Sequence, residues 1–249
     1  MDRIRLDAQD TLPLLRARVG DLAPRVLVVG DPARATRIAG MLDDAEQVAA
    51  SREYLTYTGS HRGVPVSVLS HGVGSAGAGA VFEELCRAGV RRIVRVGTAG
   101  GLQPEVTDGH VVVVTGAVRC DGLSARMVPL NWPAIADPDV TLALRAAVSD
   151  ASVPAHEGIV LTADNFFPSI VLEDDRRLWA RAGALAVEME VATLLTVASL
   201  YRVPAGAVVA IDGNPLAKDE SMSDYQPDRA EVDRAVLAAI DAGLDAVIA

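Results

Sequence analysis

The sequence has no apolar run approaching the roughly 18 residues of a bilayer span, no block of lysine and arginine, and only two cysteines, Cys86 and Cys120. The first absence argues against a membrane-embedded chain. The N-terminal MDRIRLDAQD also lacks the basic-then-apolar order of a secretory leader, so the expected location is the cytoplasm. The second absence, with a formal net charge of -10, argues against nucleic acid or an anionic membrane as a main partner. Any anion the protein binds must be held by individually placed arginines. The two cysteines lack zinc-motif spacing and the four histidines, His61, His71, His110 and His156, are scattered, so no metal is expected and both thiols read as buried and inert.

What is present is globular. Half of the 249 residues are hydrophobic, enough for one core that buries most of the unfolded surface. Short β-branched runs alternate with amphipathic stretches: RVLVV precedes PARATRIAGML, VPVSVLS precedes AGAVFEELCRAG, and RRIVRVG, HVVVVTGAV and GIVLTA follow. ALAVEM then precedes EVATLLTVASLY, and GAVVAI precedes a polar stretch and a closing helix, EVDRAVLAAIDAGLDAVI. This alternation predicts an α/β protein around a largely buried sheet. No linker, low-complexity tract or repeat divides the chain, so residues 1–249 read as one domain. Two connections are long, residues 121–139 with three prolines and residues 213–229, and long connections commonly form the rim or lid of a site, with plain solvent loops as the alternative.

Four stretches carry candidate chemistry. GDPAR follows a strand at Gly30: Asp31 suits a helix cap, Pro32 the first helical position, and the free N–H groups beside Arg34 form a candidate anion site or simply a well-capped helix. SHGVGSAGAG contains a literal GxGxxG between a strand and a helix. A dinucleotide site would need an acid at the end of the next strand, and RRIVRVG offers Arg95 and no carboxylate, which argues against an NAD enzyme. RVGTAGG places Arg95 inside a strand, where an arginine needs either a bound anion or an ion pair with a core glutamate. VEME, residues 187–190, sets two carboxylates in an otherwise apolar run, and burying them is costly unless they have partners or a use.

Together, GDPAR, SREY, SHGVGSAG, FEEL, RVGTAGGLQP, VRCDG, WPAIAD, ADNFFP, VEMEVATL and IDGNP occur in the order seen in the nucleoside phosphorylase family that includes hexameric purine nucleoside phosphorylases and uridine phosphorylases. The resemblance runs from about Arg25 to the C-terminal helix and is strongest to the protozoan-parasite purine enzymes. It implies a single-domain, three-layer α/β/α fold with a mixed central sheet, and cleavage of nucleosides by inorganic phosphate to free base and ribose 1-phosphate. Phosphate is a co-substrate and no cofactor is implied.

By the same resemblance, phosphate is held by Gly30, Arg34, Arg95 and Thr98, with Arg52 of SREY supplied by a neighbouring subunit. This implies a homodimer as the minimal unit, in the family usually a trimer of dimers. Glu190 accepts hydrogen bonds from the ribose hydroxyls, Met189 and Phe166 pack beside the sugar, and Ala99, Phe166 and Val187 line a slot for the base. Glu188 reads as structural, preceding a helix whose N-terminus favours negative charge. Asp212 of IDGNP matches the acid that purine-specific members place at the imidazole nitrogen of the base, and FFPSIVLEDD lacks the Gln and Arg with which uridine phosphorylases read uracil. Both favour inosine or guanosine over uridine. Two departures are visible: Leu14 or Leu15 stands where the family has a histidine for the primary ribose hydroxyl, and Lys218 or a neighbour replaces an aromatic lid residue. The second leaves room for a base preference broader than purines, and uridine phosphorylase is the nearest alternative. The first keeps a methylthioadenosine-type substrate open, and a hydrolytic nucleosidase and a non-catalytic nucleoside binder are the lesser alternatives.

Overall fold

The structure, a computed structural model, describes residues 6–216 and 229–249. Lys218 therefore lies outside the described residues. Among the described residues ten strands join in one mixed sheet. Its parallel centre consists of β1 (Arg25–Val29), β4 (Val64–Ser70) and β5 (Arg92–Gly101), with β10 (Ala205–Gly213) alongside β5. β10 also pairs antiparallel with β6 (Val111–Cys120), β6 pairs parallel with β8 (Ala155–Ala163), and β8 pairs parallel with β9 (Ala186–Glu188). β9 returns to the end of β5 at Gly100 and Gly101, so this half of the sheet closes on itself. The two-residue β7 (Ala134–Ile135) extends β6.

The apolar runs form these strands because each side of the sheet is covered. Val26, Val28 and Ile93 face one core with α2 (Ser75–Ala88) and α6 (Val191–Tyr201), while Leu27, Val29, Val94 and Val96 face the other with α1 (Pro32–Ala39), α4 (Pro138–Ser149) and α7 (Ala230–Ile248). The three-layer expectation is met. Among the described residues no helix is long and apolar enough to cross a membrane. Cys86 is buried as expected, whereas Cys120 is only half-buried, and neither forms a disulfide among the described residues.

Two segments depart from the sequence reading. β2 (Asp43–Ser51) and β3 (Tyr54–His61) form an antiparallel hairpin at the sheet edge. β2, DDAEQVAAS, is mostly solvated and carries edge charges in place of hydrophobic alternation. Residues 121–139 are not simply a loop. They contain β7, and Asp121 caps the short α3 (Gly122–Met127) by accepting from Ser124 N at 2.6 Å. A further short helix, α5 (Arg176–Arg181), precedes β9.

Phe82 on α2 is among the largest fully buried side chains. We expect Phe82→Ala to cost about 3–5 kcal/mol of stability, seen as a lower urea midpoint with an unchanged m-value.

Candidate active site

The parallel strands end at one edge of the sheet, where ligands gather in open α/β folds. A cavity of about 940 Å³ opens there, at the upper end of the range for small-molecule sites. Of the residues predicted from sequence, Gly30, Arg34, Arg95, Thr98, Ala99, Phe166, Val187, Met189, Glu190 and Asp212 all line it. Arg52 does not. It is exposed at the tip of the β2–β3 hairpin with a positive φ of 54°, while its neighbour Glu53 does line the cavity.

The GDPAR turn folds as its residues dictate. Asp31 caps α1 by accepting from Ala33 N at 2.8 Å, and Pro32 takes the first helical position. Arg34 is thereby brought to the cavity wall. Its guanidinium has no hydrogen bond or ion pair among the described residues, and burial, then the nearby charge of Arg95, pushes its pKa below the usual arginine value. The charges of Asp31 and Asp212 act in the opposite direction, but neither bonds to it, and a half-buried guanidinium with unused donors is a ready receptor for an anion.

Arg95 is 3 % exposed and sits among acids. Its Nη2 donates to Glu190 Oε2 at 2.5 Å and to Glu188 Oε2 at 3.3 Å. Gly97 leaves room for this arrangement, since a Cβ on it would lie 2.7 Å from Arg95 Nη1 and push the guanidinium aside. The buried Nε of Arg95 has no hydrogen-bond partner among the described residues. The ion pair considered from sequence therefore forms, and it forms in the cavity wall, where the same arginine can also meet an anion.

The two VEME carboxylates divide their work. Glu188 accepts from the N–H groups of Glu190 (2.8 Å) and Val191 (2.9 Å) and from the hydroxyl of Thr162 (2.5 Å), so it caps α6 from below. Glu190 accepts from Gly74 N at 2.6 Å, and Ser75 Oγ donates to Met189 O at 2.8 Å. The GxGxxG turn thus grips the chain's own carboxylate: Gly72 and Gly74 have φ values of 72° and 93°, backbone that glycine adopts without strain. The anion met by the start of α2 is Glu190.

Three features in or beside the cavity were missed from sequence. Arg176 follows FFPSIVLEDD directly, yet it is buried and lines the cavity. Asp174 engages its Nε and Nη2 at 2.7 Å each, and Nη1 has no partner among the described residues. This corrects the reading that the segment brings no arginine to the site. Glu53 carried no signal beyond its place beside Arg52. His71 stacks edge-on against Phe82, next to Arg95, and only its position in the glycine-rich motif hinted at it. Leu14 and Leu15 donate their N–H groups to Glu84 at 2.6 and 3.0 Å, and Leu15 is fully buried.

Comparisons with known proteins identify the family of this chain. The family model of the phosphorylase superfamily matches residues 24–249. A uridine phosphorylase of Treponema pallidum is 37% identical over 218 residues, covering 84% of this chain and 84% of the relative. A purine nucleoside phosphorylase of Plasmodium falciparum is 36% identical over 200 residues, covering 80% and 82%. The crystal structure of a purine nucleoside phosphorylase from Toxoplasma gondii in complex with immucillin-H superposes with a TM-score of 0.90 at 29% identity over 97% of both chains. The chain belongs to the phosphorylase superfamily.

Burial, the largest cause, and the charge of Glu188 raise the pKa of Glu190, against the lowering effects of Arg95 and Gly74 N–H. The folded protein then holds this proton more tightly than the unfolded chain. Stability from this group is present at low pH and is lost as pH rises through its folded pKa. In carboxyl-selective ¹³C NMR we expect one glutamate to titrate above the ordinary value of about 4.3 and to vanish in Glu190→Gln. A spectrum with no such resonance contradicts the assignment.

Proposed function

We propose that this member of the phosphorylase superfamily is a nucleoside phosphorylase in which inorganic phosphate cleaves the N-glycosidic bond, releasing free base and ribose 1-phosphate, with 6-oxopurine nucleosides such as inosine and guanosine favoured. The observation that carries the reading is Arg34, a half-buried guanidinium with no hydrogen bond or ion pair among the described residues, lining the same cavity as Arg95 and Glu190. Guanidinium forks match a tetrahedral oxyanion, and a hydrolase activating water needs none. Gly30 N–H and Thr98 add neutral donors. Arg52, exposed and outside its own cavity, is read as serving a second copy. The minimal unit is then a dimer, in the arrangement of a trimer of dimers. Ile170, Val171 and Leu172, exposed just after the cavity-lining residues 166–168, offer apolar surface for such a partner.

In this reading Glu190 holds the sugar. Each of its oxygens has one donor in the structure, Gly74 N or Arg95 Nη2, and so retains a lone pair for a ribose hydroxyl. Met189 and Phe166 pack beside the ring. As a phosphate oxygen forms its bond to C1′ and the C1′–N bond breaks, positive charge grows on the sugar and the carboxylate beneath it becomes more favourable. The bonding pair leaves with the base, and Asp212 supplies a proton to its imidazole nitrogen. Ala99 and Val187 complete the apolar slot. Arg176, which lines the same cavity and keeps Nη1 without a partner among the described residues, is read as donating to a ring carbonyl, which favours a 6-oxo over a 6-amino purine. That arginine equally suits the carbonyl of uracil, so uridine is the second reading. No cofactor is invoked beyond phosphate as co-substrate, and the site of action is the cytoplasm, with neither nucleic acid nor membrane as partner.

A panel of inosine, guanosine, adenosine, methylthioadenosine and uridine, each with and without phosphate, tests this. Base release is expected only with phosphate, and fastest from a 6-oxopurine nucleoside. Undiminished release without phosphate would establish a hydrolase, and binding without release a nucleoside-binding protein. Arg34→Ala should raise the phosphate KM by about tenfold or more. Asp212→Asn should cut inosine turnover by about 10²–10⁴-fold. Predominant uridine cleavage unaffected by Asp212→Asn would move the assignment to the second reading.

A further inference from the structure

His71 is fully buried at the entry to the glycine-rich turn and takes no part in the chemistry above. Its Nδ1 lies 2.8 Å from the carbonyl oxygen of Gly72, a contact that requires an N–H donor. The remaining ring nitrogen, Nε2, then presents a lone pair. It faces Arg95 Nη1 at 3.4 Å. The edge-to-face contact with Phe82, with ring centroids 5.3 Å apart, holds the imidazole plane. Burial first, and the charges of Arg95 and Arg34 after it, push its pKa well below the usual histidine value, so the ring is neutral where the lone pair is needed.

We infer that His71 is a positioning residue of the oxyanion site, a neutral acceptor that aims one arm of Arg95 without adding negative charge beside the incoming anion. Elsewhere on the guanidinium, Nη2 is already engaged and Nε has no hydrogen-bond partner among the described residues. Nη2 is drawn toward Glu190 and Glu188, and the fork lies against Gly97. Without an acceptor on the opposite side, Nη1 would be a buried donor left unpaired, and the fork would be free to turn wholly onto the two acids. A third carboxylate at this place would hold Nη1 firmly but repel phosphate. An imidazole kept neutral satisfies both demands, and its tautomer is set by a backbone carbonyl that a change of pH does not remove.

The inference rests on the phosphorylase reading, and the experiment separates the two. The phosphate KM, nucleoside KM and kcat are measured for the wild type and for His71→Gln, His71→Leu and His71→Phe. Glutamine restores a neutral acceptor, leucine removes it, and phenylalanine removes it while keeping a ring against Phe82, which covers the case of a leucine variant that does not fold. The phosphate KM is expected to rise about tenfold with leucine and phenylalanine, the scale of one lost hydrogen bond to a charged group, and to stay within about threefold of wild type with glutamine. The nucleoside KM is expected to be unchanged throughout. Equal phosphate KM values across the three variants, or both KM values rising together, overturn the role of His71. Wild-type release at full rate without phosphate overturns the phosphorylase reading, and the role of His71 with it.

Discussion

The cavity depends on one buried charge cluster, Arg95 between Glu188 and Glu190. Taking three charged groups out of water is expensive, and the attraction between them offsets that cost only where hydrogen bonds complete the shell. Here they do so on the acidic side: Glu188 collects two backbone N–H groups and a threonine hydroxyl, and Glu190 collects the N–H of Gly74. These bonds tie β5, β8, the start of α6 and the turn before α2 into one unit. The wall of the cavity is consequently built from groups whose directions are set by backbone.

That wiring also explains a sequence pattern which elsewhere serves another purpose. GxGxxG between a strand and a helix commonly receives the pyrophosphate of a dinucleotide. In this fold the turn receives Glu190, carried in from a different part of the chain, while Gly72 N continues the β1–β4 pairing by donating to Gly30 O at 3.0 Å. The two glycine turns are thus stitched together, with Arg34 beside one and Glu190 bonded to the other. A nucleoside and an inorganic anion can then meet in one place on an acidic protein because the positive charge is local.

Much of the fold was legible along the chain. Buried strands such as RVLVV and GAVVAI announce themselves by β-branched runs, and Asp31 with Pro32 starts a helix by rules that involve only its immediate neighbours. The β2–β3 hairpin was not legible, because a solvated edge strand needs no hydrophobic alternation. Residues 121–139 were read as loop because their prolines and short elements break every period longer than a turn. At the site, the acids and arginines of the family motifs were nameable, whereas Arg176, Glu53 and His71 gave no comparable signal.

The sequence by itself determined the succession of buried strands and their covering helices, helix starts such as that at Asp31 and Pro32, and the types of group available for chemistry, since these follow from interactions a few residues apart. Only the tertiary structure decided which of those groups meet. Arg95 reaches its two carboxylates across separations of 93 and 95 residues. Contacts of that kind arise from sheet pairing and burial, which draw distant strand ends to a common edge, and no local pattern in the chain encodes them.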